Sequence, residues 1–309
     1  MIGLTLKHLR YFDALARHGH FGKAAQACAI SQPALSLQIK ELEGMLGAPL
    51  VERASRQISL TLLGEEFVAR ARKILLEVDE LDDLVRAARG PLTGSLRFGI
   101  IPTAAPYLLP DVIKAFAETF PGLEVQPRES VTRSLIVGLL ESRLDMALVA
   151  LPVSEPALEE FPLFEEDFVL VRSVNDADRA VPSPDRLKEM RLLLLEEGHC
   201  FRDQALSFCE MKATDPRFLM EGSSLSTLVQ MVSAGIGVTL IPEMAVPLET
   251  RTAKVSVARF APPAPSRTIG IVWRKTNPLS EQFAQIGAAV RKVGQGERVE
   301  IGRERADRR

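Results

Sequence analysis

Cys200 and Cys209 stand nine positions apart in the run Gly198-His-Cys-Phe-Arg-Asp-Gln-Ala-Leu-Ser-Phe-Cys209, and with Cys28 they are the chain's three cysteines. Sulfur at that spacing supports redox chemistry only if the backbone lets the two thiols meet. A disulfide needs Cα atoms within about 7 Å. Nine helical residues rise about 13.5 Å and turn the second side chain roughly half a revolution from the first. A Cys200–Cys209 bond therefore requires that any helix here come apart, which makes the segment a candidate two-state element. His199 and Arg202 flank Cys200, and positive charge or a helix N-terminus favours a thiolate; Glu196 and Glu197 act in the opposite direction. Cys209, beside Phe208, suits a partly shielded resolving thiol. The competing reading is that both are ordinary core residues, because free cysteine is among the most buried residue types.

The rest of the chain must position these thiols. Its 309 residues allow two or three domains, each with its own core. A net charge of -2 gives no global attraction to nucleic acid, so any such binding must come from a local patch. With no apolar leader and no run of about 18 apolar residues, the expected setting is cytoplasmic and away from membranes. In that compartment a disulfide is more often transient than structural. No metal-ligand spacing is found among the four histidines and three cysteines, and no cofactor is expected.

Residues 1–61 read as a small helical unit. Leu9, Phe12 and Ala16 mark one face of a first helix. Phe21, Ala24, Ala25 and Cys28 form a second stripe at i, i+3, i+4, i+7, on which Cys28 reads as core. Ser31 caps a third helix, Pro33 is tolerated in its first turn, Leu35, Ile39, Leu42 and Leu46 face inward, and Gly47 stops it. The outer face carries Gln32, Pro33, Ser36, Leu37 and Lys40. Short polar groups there can reach base edges and Lys40 a phosphate. Seven Lys and Arg against four Asp and Glu give this unit a positive surplus of three. The stretch 50–61 reads as a β-hairpin whose turn bears Arg53 and Arg56, which either meet a nucleic-acid backbone or minor groove or form an ordinary solvated turn.

From 62 to 90, Phe67, Ala71, Ile74, Val78, Leu81, Val85 and Ala88 recur in steps of four and three. An apolar seam with no partner in its own chain argues for pairing with a second copy. Strand and helix patterns alternate over 91–295, an α/β arrangement able to form two lobes with a ligand site between them. The charged stretch 296–309 is expected to be a disordered tail.

Phe21-Gly-Lys-Ala-Ala25, Ser31-Gln-Pro-Ala-Leu-Ser36, Leu42-Glu-Gly-Met-Leu-Gly47 and Leu50-Val-Glu-Arg53 with Leu60-Thr61 and Gly64 together resemble the winged helix-turn-helix of LysR-type transcriptional regulators. The segment from Gly198 to Cys209 resembles the redox segment of that family's peroxide-sensing branch. Ile101-Pro-Thr103, Pro106–Pro110, Met231–Gly235 and Arg267–Gly270 extend the match, which covers residues 4–290. The resemblance implies an N-terminal winged helix-turn-helix (1–61), a coiled-coil linker helix (62–90) and a two-lobed, periplasmic-binding-protein-like regulatory domain (91–295). It further implies that hydrogen peroxide oxidises Cys200 first and that Cys209 resolves it into a reversible disulfide. Thr103, Thr132, His199 and Arg267 would surround the peroxide pocket. Gln32, Pro33, Ser36 and Lys40 would read promoter DNA, assisted by Arg53 and Arg56; Leu37 departs from the arginine that many relatives carry. The implied partners are a second copy through the linker helix, a homotetramer, RNA polymerase and cellular thiol reductants, with activation of antioxidant genes as the output and no enzymatic turnover. Two other readings are a LysR-type regulator that senses a metabolite in its cleft and a thiol peroxidase. The DNA-binding N-terminus speaks against the second.

Overall fold

The computed structural model describes residues 3–52, 58–88, 92–209 and 221–307. The chain divides into two compact units, Met1–Val85 and Arg86–Arg309.

The first unit opens with three helices, α1 (Leu6–His18), α2 (Phe21–Ala27) and α3 (Gln32–Leu46). Local signals set their ends. Thr5 caps α1 in a reciprocal pair with His8, and Gly19, at φ 58°, takes the left-handed turn that ends it. Ser31 Oγ accepts from the Ala34 N–H at 3.3 Å to start α3, and Gly47, at φ 68°, stops it. Phe12, Leu15, Ala24, Ala25, Leu35, Ile39 and Leu42 bury together. Cys28 departs from expectation. Because α2 ends at Ala27, Cys28 is its half-buried C-cap and not a core residue.

Strands β1 (Val51–Glu52) and β2 (Ser59–Leu60) pair antiparallel as the expected hairpin. The turn residues Arg53 and Arg56 lie outside the described residues. Glu43 of α3 accepts from the Leu50 and Val51 N–H groups at 2.8 and 3.1 Å, tying the hairpin to the helices. The next helix, α4 (Leu62–Ala88), passes so close that a Cβ on Gly64 would meet the Leu50 carbonyl oxygen at 2.1 Å. Only glycine fits there. The early turns of α4 bury Val68, Ala71 and Leu75 against the three helices, so the first unit extends well past residue 61. Ile74, turned away from that contact, and, further along, Leu81, Leu84 and Val85 stand exposed, Leu81 by 61%.

In the second unit the chain runs through β3 (Gly94–Ile100), α5 (Ala105–Thr119), β4 (Leu123–Glu129), α6 (Thr132–Leu140), β5 (Met146–Leu151) and β6 (Leu158–Ser173). It continues with α7 (Pro184–Leu187), β7 (Leu192–Leu195), α8 (Cys200–Phe208), β8 (Glu221–Gly222), α9 (Leu225–Ser233) and β9 (Val238–Pro242). It ends with α10 (Val246–Glu249), β10 (Val255–Arg259), β11 (Ser266–Arg274) and α11 (Ser280–Asp307). The strand order is β4-β3-β5-β11-β6-β9-β7-β8, with β10 beside β6. Parallel neighbours β3, β4 and β5 are linked by helical crossovers.

The long strand β6 joins two lobes. Up to Asp167 it pairs with β11, and from Phe168 it pairs with β9 and β10. Its first half is interrupted by Pro162, where the register with β11 shifts, which hides the strand's period from a sequence reading. The stretch 296–309, expected to be disordered, continues the backbone of α11 to Asp307. Its Glu and Arg residues disfavour burial, yet they are good helix formers. Among the described residues no helix is long and apolar enough to cross a membrane.

Candidate redox site

Four consecutive leucines bury β7 in the second lobe and carry the chain to Glu196. Gly198, at φ 99°, turns it into α8 in a conformation that favours glycine. Cys200 is the first residue of α8 and Cys209 is its C-cap, with both thiols free. The nine-residue interval separates them by about 13.5 Å along the helix axis. The reduced backbone therefore holds the sulfurs apart, as the spacing predicts.

Cys200 is half-buried and Cys209 fully buried. The shielding expected of Cys209 is thus complete, and its neighbour Phe208 stacks edge-on against Phe260 at 5.2 Å. Burial pushes the Cys209 thiol up to about 11, with Lys188 opposing the shift. Arg202 does not serve Cys200 as the sequence suggested. Its buried guanidinium donates to the Leu195 carbonyl at 2.9 Å and pairs with Glu221.

Phe201 lies edge-on to Phe168 at 4.8 Å, and Arg267 sits over its ring at 5.4 Å. The same guanidinium donates to Thr103 Oγ1 at 2.8 Å, to the Thr103 carbonyl at 3.0 Å and to the Glu166 carboxylate at 2.9 Å. Glu166 also accepts from the Met244 N–H at 2.9 Å. Burial pushes the Glu166 carboxyl up, an effect Arg267 and the Met244 N–H partly offset. Thr103 and Arg267 are thus directly joined, and together with Glu166 they anchor the residue after Cys200.

Thr132 enters from the other lobe as the first residue of α6. An added Cβ on Gly198 would lie 3.8 Å from Val131, which brings the start of α6 against the loop that carries His199. Thr132 Oγ1 is buried with no hydrogen-bond partner. Burial lowers the pKa of His199, while Glu196 and Glu129 raise it, so the imidazole is disposed to the neutral form. Gln204 follows Cys200 by four residues and shares its helix face; its buried Oε1 has no partner either. Buried polar atoms are rarely left unsatisfied, which marks Thr132 and Gln204 as two groups with hydrogen-bonding capacity to spare.

Gln204 and Glu166 escaped the sequence reading as site residues. The i, i+4 relation to Cys200 was available for Gln204. Glu166, inside the acidic run 165–167, carries no local signal of burial. No group of three His, Cys, Asp or Glu able to hold a metal occurs among the described residues.

In the first unit Gln32, Pro33 and Lys40 are exposed on the outer face of α3, with Ser36 half-buried beside them. Leu37 is 64% exposed on the same face. Helix α3 thus offers a continuous accessible surface opposite Leu35, Ile39 and Leu42.

Residues 6–65 match the model of the bacterial regulatory helix-turn-helix proteins of the lysR family, and residues 89–295 match the LysR substrate binding domain. A probable hydrogen peroxide-inducible genes activator of Streptomyces viridosporus is 43% identical over 94% of this chain and 94% of that protein. The full-length structure of a cysteine-to-aspartate OxyR from Pseudomonas aeruginosa matches at a TM-score of 0.73 and 35% identity, covering 93% of this chain and 95% of that one. A hydrogen-peroxide-bound cysteine-to-serine OxyR of Corynebacterium glutamicum matches at 0.66 and 35%, covering 97% and 95%. Matched over both units and nearly its whole length, the chain belongs to the LysR family of bacterial regulators, in its OxyR branch.

Proposed function

We propose that the chain is a transcriptional regulator that senses hydrogen peroxide and switches through a reversible Cys200–Cys209 disulfide to activate antioxidant genes. The observation that carries this reading is the placement of the two free thiols at opposite ends of α8. In the first step the Cys200 thiolate attacks one peroxide oxygen. The O–O bond breaks, the departing hydroxide takes a proton to become water, and Cys200 becomes a sulfenic acid. In the second step Cys209 sulfur attacks Cys200 sulfur, gives up its proton and expels the hydroxyl as water. Two thiols and one peroxide thus yield one disulfide and two waters.

The unpartnered Thr132 hydroxyl and Gln204 carbonyl oxygen are suited to hold the peroxide, with His199, the N-cap residue directly before Cys200, as a proton-handling group. Thr103 and Arg267 act by positioning, since each is already committed to the other. The second step requires α8 to unwind and Phe201, Leu206 and Cys209 to leave their burial. The oxidised state must repack these groups or lose several kcal/mol. Each 1.4 kcal/mol of residual strain raises the reduction potential by about 30 mV, which keeps the bond reducible by cellular thiols. The complete burial of Cys209 favours a switch over a peroxidase that turns over, and the reading calls for no cofactor.

Gln32, Pro33, Ser36 and Lys40 meet promoter DNA in this account, with Arg53 and Arg56 at the wing. The exposed apolar seam of α4 supports a homodimer, assembled further into a homotetramer that engages RNA polymerase in the cytoplasm. A footprint of the full-length chain on its promoter tests the reading. Peroxide should change the protected pattern, and Cys200→Ser should bind as the reduced form does and ignore peroxide. A Cys200→Ser chain that still switched would refute it.

A further inference from the structure

The first lobe carries a second concave site that the thiol chemistry does not use. A cavity of about 300 Å³ lies between the end of β4, the outer face of α6 and the turn that follows α6. Arg128, Arg133 and Arg143 line it, with Ser130 and Ser134 between them. Arg143 pairs with Glu141 at 2.8 Å. Arg128 and Arg133 are exposed, and neither side chain makes an ion pair or hydrogen bond among the described residues. Glu129, next to Arg128 in sequence, alternates to the opposite face of β4 and acts on His199. Three guanidinium groups against the one carboxylate bonded to them leave a surplus of two positive charges around the cavity.

Exposed like charges repel one another, and gathering three of them with two hydroxyls in a concavity is unfavourable unless an anion joins them. Guanidinium forks match oxyanions in a bidentate manner. Donors on several sides exceed what a planar carboxylate can satisfy and suit a tetrahedral, doubly charged group. The volume lies at the small end of ligand sites, large enough for a phosphate with part of its carrier.

The geometry points to a binding site for a phosphate-class dianion on α6 and β4, held by Arg128, Arg133 and Arg143 with Ser130 and Ser134. Nothing in it comes from α8, so it stands or falls independently of the peroxide reading.

Calorimetric titration of the reduced full-length chain with inorganic phosphate, and separately with adenosine monophosphate, tests the site at an ionic strength fixed with sodium chloride. Saturable binding of either probe, weakened about tenfold or more in Arg128→Gln and in Arg133→Gln, is expected. Tighter binding of the nucleotide would assign a phosphate ester, and equal binding the free anion. Ser134→Glu places a carboxylate in the cavity and should abolish binding. The two arginines are exposed and unpartnered, so their variants should keep the parent's melting temperature. Heats that do not saturate, or isotherms unchanged in both arginine variants, would overturn the proposal. So would a non-promoter duplex whose binding these substitutions weaken while both small probes fail, since that would assign the arginines to a DNA backbone.

Discussion

Arg267 and Thr103 are joined twice, by guanidinium donations to the threonine hydroxyl at 2.8 Å and to its carbonyl at 3.0 Å. Because the same guanidinium neutralises buried Glu166, Arg267→Met would leave a carboxylate without its counter-charge. The expected loss is about 3–5 kcal/mol of stability, read from urea unfolding. The surviving fold should react more slowly with peroxide, because Phe201 and Thr103 lose their common anchor. Arg267→Lys keeps the charge without the planar fork and should lie between the two. An Arg267→Met chain of parental stability would contradict the positioning role.

The Cys209 thiol gives a pH signature. Its native pKa, raised from 9.0 to about 11, means the folded chain keeps a proton that the unfolded chain loses as pH climbs through 9. Its contribution is therefore intact below pH 9 and lost progressively between 9 and about 11. Denaturant titrations of the parent against Cys209→Ala should differ in slope only in that window. Closure of the disulfide should follow another profile. If α8 opens first, Cys209 deprotonates in water, and the closure rate measured by acid quench should rise near pH 9. A rise near 11 would mean that the thiol reacts while still buried.

The accessible face of α3 predicts a phosphate contact from Lys40. Its replacement by Ala should weaken DNA binding about equally on all sequences and reduce the salt slope by about one. Gln32→Ala should instead relax discrimination at one base position. Fluorescence anisotropy across a salt series separates the two, and a Lys40→Ala slope equal to the parent's would remove that residue from the interface.

Leu81 and Val85 of α4, 61% and 50% exposed, should be covered by a second copy. Leu81→Lys combined with Val85→Lys should leave each unit folded and shift sedimentation equilibrium toward monomer. Affinity for a two-half-site promoter should then fall about a hundredfold or more as avidity is lost. An unchanged molecular mass would place the dimer contact elsewhere.

Local signals were the most legible part of this fold. Ser31, Gly47 and the stripe through Leu35, Ile39 and Leu42 announce α3 because capping and helical period act within a few residues. The interval between Cys200 and Cys209 likewise implies a conflict between helix and disulfide from spacing alone. Cys28 was misjudged because a stripe does not state where its helix ends. The first half of β6 shows no clean strand period because Pro162 interrupts it, where the register with β11 shifts. Glu166 was invisible because its partners Arg267 and Met244 lie 101 and 78 residues away. Motif resemblance supplied Thr132, while its unpartnered hydroxyl became evident only in three dimensions.

Treating the reduced chain with one equivalent of peroxide, then mapping tryptic peptides without reductant, tests the switch most directly. Trypsin cuts after Arg202, so a Cys200–Cys209 bond would appear as two linked peptides. That species is expected as the main product, together with loss of hydrogen-exchange protection across α8. A bond to Cys28, no intramolecular disulfide, or a Cys200–Cys209 bond formed with the protection of α8 intact would contradict it.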